Sequence, residues 1–281
     1  MKVDSVETSA WCGSRASRLE QNHGIQDVFS QVLTEAGREG YASAEAVSEE
    51  VPMNEQIAAS WSSWFDGEHC GGRYQTLDEF EEMKQSYGGL LVRAYEEGGY
   101  SDPKAFLNAL SQDEMSVVQK INSLADPIRV DELTEEGALN LLLPSAAQVD
   151  LNRDGFTRNG VAYTGRFPDS NTPPEVVQAW EEATKGMDFK ELMIHEFQMM
   201  LPLLTANIVC DENGKFLYCR EPGDPDYQNP MASDDYSYVQ AAQDQLDYLE
   251  AFRLRMSPEK YDRDKAFWTE FQGLLDEYGA K

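Results

Sequence analysis

Oxygen-bearing side chains alternate along one short stretch in the middle of the chain. Residues 150–156 read DLNRDGF, so Asp150, Asn152 and Asp154 offer side-chain oxygens at every second position and Gly155 follows where a tight turn needs a glycine. Carboxylate, amide and backbone carbonyl oxygens are the ligands that Ca²⁺ prefers in proteins. The spacing therefore predicts a cation site that also uses the backbone carbonyl of Phe156.

This stretch resembles the first half of the calcium loop of EF-hand proteins. In that loop, positions 1, 3 and 5 supply side-chain oxygens, position 6 is glycine and position 7 supplies its carbonyl. Residues 150–156 match all of these positions, but Val161 stands where the bidentate glutamate belongs and Arg158 stands at position 9. A complete EF-hand is excluded. The resemblance implies a half-loop that takes its last carboxylate from elsewhere in the chain.

The missing carboxylate has three candidates nearby in sequence, namely Glu136, Asp169 and Glu175. Asp169 is the preferred one, so the predicted site takes its ligands from residues on both sides of Gly155. They are Asp150, Asn152, Asp154, Phe156 and Asp169, with Ca²⁺ as the ion. The alternative is a polar turn without metal, in which Asp154 and Gly155 turn the backbone and Asp150 or Asn152 caps it.

The charge of the chain restricts its partners. The 281 residues contain 51 Asp and Glu against 23 Lys and Arg, which gives a formal net charge of −28. The acidic residues are spread along the chain and do not form a separate tail. Such a surface repels nucleic-acid phosphates and anionic lipid, so neither is expected as a partner. Divalent cations and a basic protein partner are the ligands that this charge favours.

The sequence contains no apolar run long enough to span a membrane, and residues 1–24 lack the apolar core of a cleavable signal peptide. A soluble, cytoplasmic protein is therefore expected, with export by a route that does not use a cleaved signal as the alternative. The four cysteines form no CxxC pair and only three histidines are present. A disulfide framework and a structural zinc site are both disfavoured.

Most apolar residues recur at spacings of three and four along the chain. This periodicity predicts a mainly α fold with about eight to ten helices. One small β-hairpin is expected near residues 206–220, where apolar residues flank Asn213 and Gly214. A helix that starts at Asp188 is expected to bury one set of apolar side chains. These are Phe189, Leu192, Met193, Phe197 and Met200.

The composition divides the chain at residues 52 and 53. Residues 1–52 are polar and rich in small side chains, which predicts a mobile N-terminal arm. The arm contains one short amphipathic helix, whose apolar stripe either docks onto the body or binds a partner. The stripe consists of Ile25, Val28, Phe29, Val32 and Leu33. Residues 53–281 are expected to form one acidic helical domain.

These features favour a non-enzymatic, acidic helical protein that binds one Ca²⁺ at its central loop for structure or regulation. The alternative is a metal-free interaction module, or an exported protein, that uses its N-terminal helix to engage a partner. An enzyme with a site near the long loop 221–235 would have Asp224, Asp226 and Asp234 available. No constellation of catalytic residues accompanies them, so this third hypothesis has the least support.

Overall fold

A computed structural model of the chain describes residues 15–70, 74 and 80–281. The described residues form ten α-helices and two antiparallel sheets of two strands each, which confirms the predicted mainly α fold class. They divide into two compact units. Unit 1 comprises residues 15–40 and Ala44–Ala147, and unit 2 comprises Tyr41–Ser43 and Gln148–Lys281. This division does not follow the boundary expected at residues 52 and 53.

Unit 1 contains six described helices. They are α1 (Arg15–Glu35), α2 (Met53–Cys70), α3 (Phe80–Glu96), α4 (Pro103–Ala109), α5 (Gln112–Ile121) and α6 (Glu135–Asn140). A short 3-10 helix, Val130–Glu132, precedes α6. Helix α2 packs against both α1 and α3. Ser111 begins α5 with a capping box, because its hydroxyl accepts from the amide of Glu114 while the Glu114 carboxylate accepts from the amide of Ser111.

Aromatic rings fill the contact between α2 and α3. The ring of Trp61 lies 4.7 Å from that of Phe65 and 4.9 Å from that of Tyr87, measured between centroids. The indole nitrogen of Trp61 donates to the carbonyl of Lys84 at 2.8 Å. A Cβ atom at Gly88 would lie 2.8 Å from the Trp61 ring. Gly88 therefore lets α3 approach the tryptophan closely enough for this packing.

From Ile25 onward, helix α1 contributes buried side chains to the core of unit 1. All five side chains of its apolar stripe are buried, and the helix packs against α2. The indole nitrogen of Trp64 on α2 donates to the side chain of Asn22 at 2.9 Å, which adds a polar contact to the apolar one. The predicted arm is thus folded into unit 1 over its described part, and residues 1–14 lie outside the described residues.

Unit 2 contains four described helices and two hairpins. They are β1 (Thr157–Asn159), β2 (Ala162–Thr164), α7 (Pro174–Ala183), α8 (Phe189–Ala206), β3 (Ile208–Cys210), β4 (Phe216–Cys219), α9 (Tyr238–Phe252) and α10 (Pro258–Tyr278). Two 3-10 helices, Pro230–Ala232 and Arg253–Arg255, flank α9. Helix α10 packs against α7 and α9. An aromatic core forms there, in which Trp180 meets the edges of Phe267 and Phe271 at 5.7 and 5.4 Å.

The hairpin predicted near residues 206–220 is present as β3 and β4, with a bulge that places Cys210 opposite Phe216. The β1–β2 hairpin is an additional one, in a stretch where the sequence shows no clear period. Its strands are only three residues long and β2 is fully exposed, so an alternation of buried and exposed positions has no room to develop.

The expected burial along α8 is wrong for three of its five residues. Phe189, Met193 and Phe197 are exposed. The core face is instead formed by a neighbouring stripe that contains His195, Met199, Met200 and Leu203, all buried. The His195 ring stacks on Phe267 with 3.9 Å between centroids. Because α8 is apolar on nearly every side, its periodicity does not reveal which side meets the core.

The packing of α1 leads to a first prediction. Phe29→Ala should lower the free energy of unfolding by about 3–5 kcal/mol, because Phe29 is completely buried and the truncation leaves a cavity beside Tyr100. Glu20→Ala, on the exposed side of the same helix, should change it by less than about 0.5 kcal/mol. Urea denaturation followed by tryptophan fluorescence measures both. Equal stabilities of the two variants would show that α1 is a detachable arm.

Candidate calcium loop

The central loop, residues 150–156, lies in unit 2 and leads directly into β1. Two of its residues have left-handed backbones, Arg153 with φ of 56° and Gly155 with φ of 87°. An L-residue is strained in this region, whereas glycine is not. A Cβ atom at Gly155 would also lie 2.5 Å from Leu203 of α8. Both the turn and the close approach to α8 therefore require glycine at this position.

Backbone amides hold the carboxylates of the loop in place. The two oxygens of Asp150 accept from the amides of Asp154 and Gly155, at 3.2 and 2.8 Å. The Asp154 carboxylate accepts from the amide of Phe156 at 2.9 Å and from the side-chain amide of Asn152 at 3.0 Å. The Asn152 oxygen accepts from the amide of Asp154 at 3.1 Å. Since a carboxylate has about four lone pairs, both carboxylates can still accept a further ligand.

One segment distant in sequence binds the beginning of the loop. The hydroxyl of Ser170 accepts from the amide of Asp150 at 3.0 Å, and the side chain of Asn171 donates to the carbonyl of Asp150 at 2.9 Å. The backbone of Asp150 is thus held on both sides by residues 170 and 171.

A second segment binds the turn itself. The hydroxyl of Tyr227 donates to the carbonyl of Asp154 at 3.0 Å, and the side chain of Asn229 donates to the carbonyl of Arg153 at 2.9 Å. Sequence reasoning missed all four of these supporting residues. No local signal marks them, because a polar residue some twenty or seventy positions away looks like any other loop residue.

Burial of its two carboxyl groups raises the pKa of one of them, Asp150. Asp150 is 3% exposed and Asp154 is 8% exposed. Burial, followed by the negative charges of Asp154 and Asp169, raises the pKa of Asp150 to about 7, although the amides of Gly155 and Asp154 act in the opposite direction. The loop therefore places two carboxyl groups together where one of them holds a proton near neutral pH. A cation would favour the ionised form of both.

Asp169 lies beside the loop and has its own hydrogen bonds. One of its oxygens accepts from the amide of Asn171 at 3.0 Å and from the hydroxyl of Thr172 at 2.7 Å. Asp169 and Glu175 line a cavity of about 290 Å³ together with Arg153, and neither Asp150 nor Asp154 is part of that lining. The structure thus brings Asp169 close enough to influence the pKa of Asp150, but the two carboxylates face different surroundings.

The structure brings the predicted ligands Asp150, Asn152 and Asp154 together in the loop. Glu136, an alternative source of the last carboxylate, is a buried residue of α6 in unit 1. Among the residues that the structure describes, no group of three or more Asp, Glu, His or Cys side chains converges to hold a metal ion. The oxygens that this loop could offer an ion are those of two carboxylates, one amide and the backbone carbonyl of Phe156.

The surroundings of the loop differ from an EF-hand. Helix α6 ends at Asn140, ten residues before Asp150, and the β1–β2 hairpin follows where an EF-hand has its exit helix. Val161 lies between the two strands and is 67% exposed. The guanidinium of Arg158 donates to the carbonyl of Pro222 at 3.1 Å and lies over the Tyr163 ring. The resemblance is therefore limited to residues 150–156.

The acidic residues of the long loop 221–235 form no catalytic cluster. Asp224 accepts from the amide of Glu221 at 2.8 Å, and Asp226 accepts from Arg220 at 2.8 Å. The hydrogen bond from Arg220 lowers the pKa of Asp226. Asp234 lines the 290 Å³ cavity instead. The three carboxylates thus have separate local partners or surroundings.

No protein-family model, curated protein or solved structure matches the chain. Within residues 15–70 and 80–281, no helix has the length and apolar character needed to cross a membrane. The functional interpretation therefore depends on the geometry of the described residues.

The backbone of the loop leads to a second prediction. Gly155→Ala should lower the free energy of unfolding by about 1–3 kcal/mol, because alanine is strained at this φ and its Cβ meets Leu203. Gly273→Ala, an exposed position within α10 with open space around it, should raise the free energy of unfolding by roughly 0.5–1 kcal/mol. Chemical denaturation measures both variants, and a loss of stability at position 273 alone would contradict the expectation.

The charge of Asp150 leads to a third prediction. The folded state holds a proton on Asp150 up to about pH 7, whereas an unfolded aspartate loses it near pH ~3.9. The stabilising contribution of this group is therefore lost as the pH rises towards and through 7. In chelator-treated protein, the stability of the wild type relative to Asp150→Asn should fall between about pH 5 and about pH 8. Asp262→Asn, at an exposed position of α10, controls for the change in net charge, and parallel pH curves would contradict the prediction.

Proposed function

We propose that the protein binds one Ca²⁺ at the loop 150–156 and that the ion stabilises unit 2. The observation that supports the proposal is the pair of buried carboxylates, Asp150 and Asp154, which the backbone amides of a single tight turn hold in position. Ligands oriented before binding lose little conformational entropy when an ion arrives. The arrangement therefore suits a hard cation that takes oxygen ligands.

The number of charges suggests weak binding. The loop itself contributes two carboxylates, and Asp169 adds negative charge beside it without sharing its hydrogen bonds. Calcium affinity falls as the number of charged ligands falls, so we expect a dissociation constant on the order of 10⁻⁴–10⁻³ M. Water molecules and the backbone carbonyl of Phe156 would complete the coordination.

The position of the loop favours a structural ion over a switch. Residues 170 and 171 bind the backbone of Asp150, and Tyr227 and Asn229 bind the backbone of the turn. An ion at this place would strengthen the point at which three chain segments meet. The elements around it are tied together by hydrogen bonds that need no metal, so a large opening on ion release is not expected.

The alternative of an N-terminal helix that engages a partner has less support from the geometry. The apolar stripe of α1 is buried within unit 1, so engaging a partner through this stripe would first require α1 to leave α2. The cost of exposing five buried apolar side chains is large compared with the stability of an ordinary domain. A partner of the exposed side of α1 would have to bind polar residues.

Calcium titration tests the proposal. Isothermal calorimetry on chelator-treated protein should give a saturable heat for one site at millimolar Ca²⁺, and the melting temperature should rise, since an ion that binds only the folded state stabilises it. Mg²⁺ at the same ionic strength should produce a smaller effect because it requires near-octahedral geometry. Asp154→Asn should abolish the heat.

Three controls separate specific binding from screening of the negative charge. Asp262→Asn removes an exposed carboxylate of α10 that does not line the cavity beside the loop, and it should leave the heat unchanged. Asn152→Ala removes an exposed ligand and should weaken binding without unfolding the protein. Asp169→Asn should weaken it to a lesser extent. No heat at millimolar Ca²⁺, or the same heat in Asp154→Asn as in the wild type, would refute the proposal.

A further inference from the structure

The N-terminal half of helix α8 presents apolar side chains to solvent. Phe189 is 77% exposed, Phe197 is 56% exposed and Met193 is half exposed. These residues are spaced four apart, so they line up along one side of the helix. Ile194 is also exposed. The stripe that contains His195 and Leu203 is buried, whereas the stripe through Met193 and Phe197 is an apolar face open to solvent.

The β3–β4 hairpin, which follows the C-terminal end of α8, carries further exposed apolar side chains. Phe216, Leu217 and Tyr218 are consecutive and all exposed, and because side chains alternate between the faces of a strand, both faces of the hairpin carry apolar groups. Ile208 on β3 is exposed as well. A sheet of two strands is only marginally stable by itself in water, and this one has no further strand within its sheet.

Arg220 fixes the base of the hairpin to the end of α8. Its amide donates to the carbonyl of Asn207 at 2.8 Å, and its guanidinium donates to the carbonyl of Ala206 at 3.2 Å. Asn207 is the C-cap of α8 and also binds the backbone of Gln228 with both ends of its side chain. The base of the hairpin is therefore fixed to the C-terminal end of α8, and the exposed apolar side chains of α8 and of the hairpin belong to one connected segment. We call them the α8–hairpin surface.

The charges within this segment indicate what kind of partner fits. Residues 188–218 contain five acidic side chains and two basic ones, Lys190 and Lys215. The acidic ones are Asp188, Glu191, Glu196, Asp211 and Glu212. Arg263 of α10 pairs with Glu191 at 3.8 Å, and the segment still has an excess of acidic side chains, so basic residues beside a partner's apolar stripe complement its charge. A second copy of a chain with a net charge of −28 is repelled, and an anionic membrane is repelled for the same reason.

We propose that the α8–hairpin surface is the docking site for a basic amphipathic helix of a partner protein. The apolar stripe of that helix would cover Met193 and Phe197. Its Lys or Arg residues would meet the acidic side chains of residues 188–218. This mode is the common one in which an amphipathic helix places its apolar face on a complementary surface. The proposal is independent of calcium binding at the loop 150–156.

A synthetic peptide probes the surface directly. The probe is a fluorescein-labelled helix of about 18 residues in which Leu forms one face and Lys the other, a length of about five turns. The control peptide has the same composition in a scrambled order, so Leu and Lys do not fall on separate faces of its helix. Fluorescence anisotropy with the full chain should show that the amphipathic peptide binds on the order of tenfold more tightly than the scrambled one.

Two matched double variants locate the binding. Met193→Ser with Phe197→Ser should weaken binding of the amphipathic peptide on the order of tenfold, because these are the two side chains that its apolar stripe is proposed to cover. Tyr248→Ser with Leu254→Ser removes exposed apolar groups elsewhere in unit 2 and should leave the affinity unchanged. All four side chains are exposed, so circular dichroism melting should confirm that both double variants remain folded.

Several results would overturn the proposal. One is equal affinity for the amphipathic and scrambled peptides, or no binding of either. Another is an equal loss of affinity in both double variants. A dimer in sedimentation that the Met193→Ser, Phe197→Ser variant loses would identify a second copy as the occupant. Binding of the wild type, but not that variant, to phosphatidylcholine vesicles would identify a lipid surface.

Discussion

The buried carboxylate of Asp150 is the interaction on which the arrangement of unit 2 depends. Two backbone amides of the same loop satisfy it, and this closes the turn that brings Gly155 against Leu203 of α8. Residues 170 and 171 then bind the backbone of Asp150, and residues 227 and 229 bind the turn. Burying a charged carboxylate costs free energy unless the group is hydrogen-bonded or neutralised. The carboxylate that organises the loop therefore also favours the uptake of a proton or a cation.

Helix α8 connects the loop with the rest of unit 2 and has two different sides. Its buried stripe supports Gly155 through Leu203 and supports α10 through the stacking of His195 on Phe267. Its other side carries Met193 and Phe197 into solvent. The burial of His195 lowers its pKa, so the stripe remains neutral and apolar towards the core. A single helix thus serves both the candidate ion site and the candidate docking surface, and the two need not compete because they use different sides.

In unit 1, the apolar stripe of α1 that the sequence offers to a partner is buried in the core. The apolar stripe of α1 packs against α2, and the rings around Trp61 pack between α2 and α3, where Gly88 leaves room for the Trp61 ring. A short amphipathic helix in a polar stretch can be an arm or a part of the core, and only the presence of a matching apolar face on α2 separates these possibilities. Most acidic side chains lie on solvated faces. There they influence which partners bind but do not determine the fold.

The sequence by itself determined the local features of this protein. Spacings of three and four residues specified helices, Asn213 and Gly214 specified a hairpin, and the alternation of Asp150, Asn152 and Asp154 before Gly155 specified a loop rich in oxygens, because each of these signals acts between residues close in the chain. The tertiary structure decided which side of α8 meets the core, where Asp169 lies and which residues support the loop. Helical periodicity defines faces relative to the helix axis only, so it does not say which face meets the core. The hydrogen-bond partners of Asp154 and Arg153 lie more than seventy residues away, where no local sequence pattern identifies them.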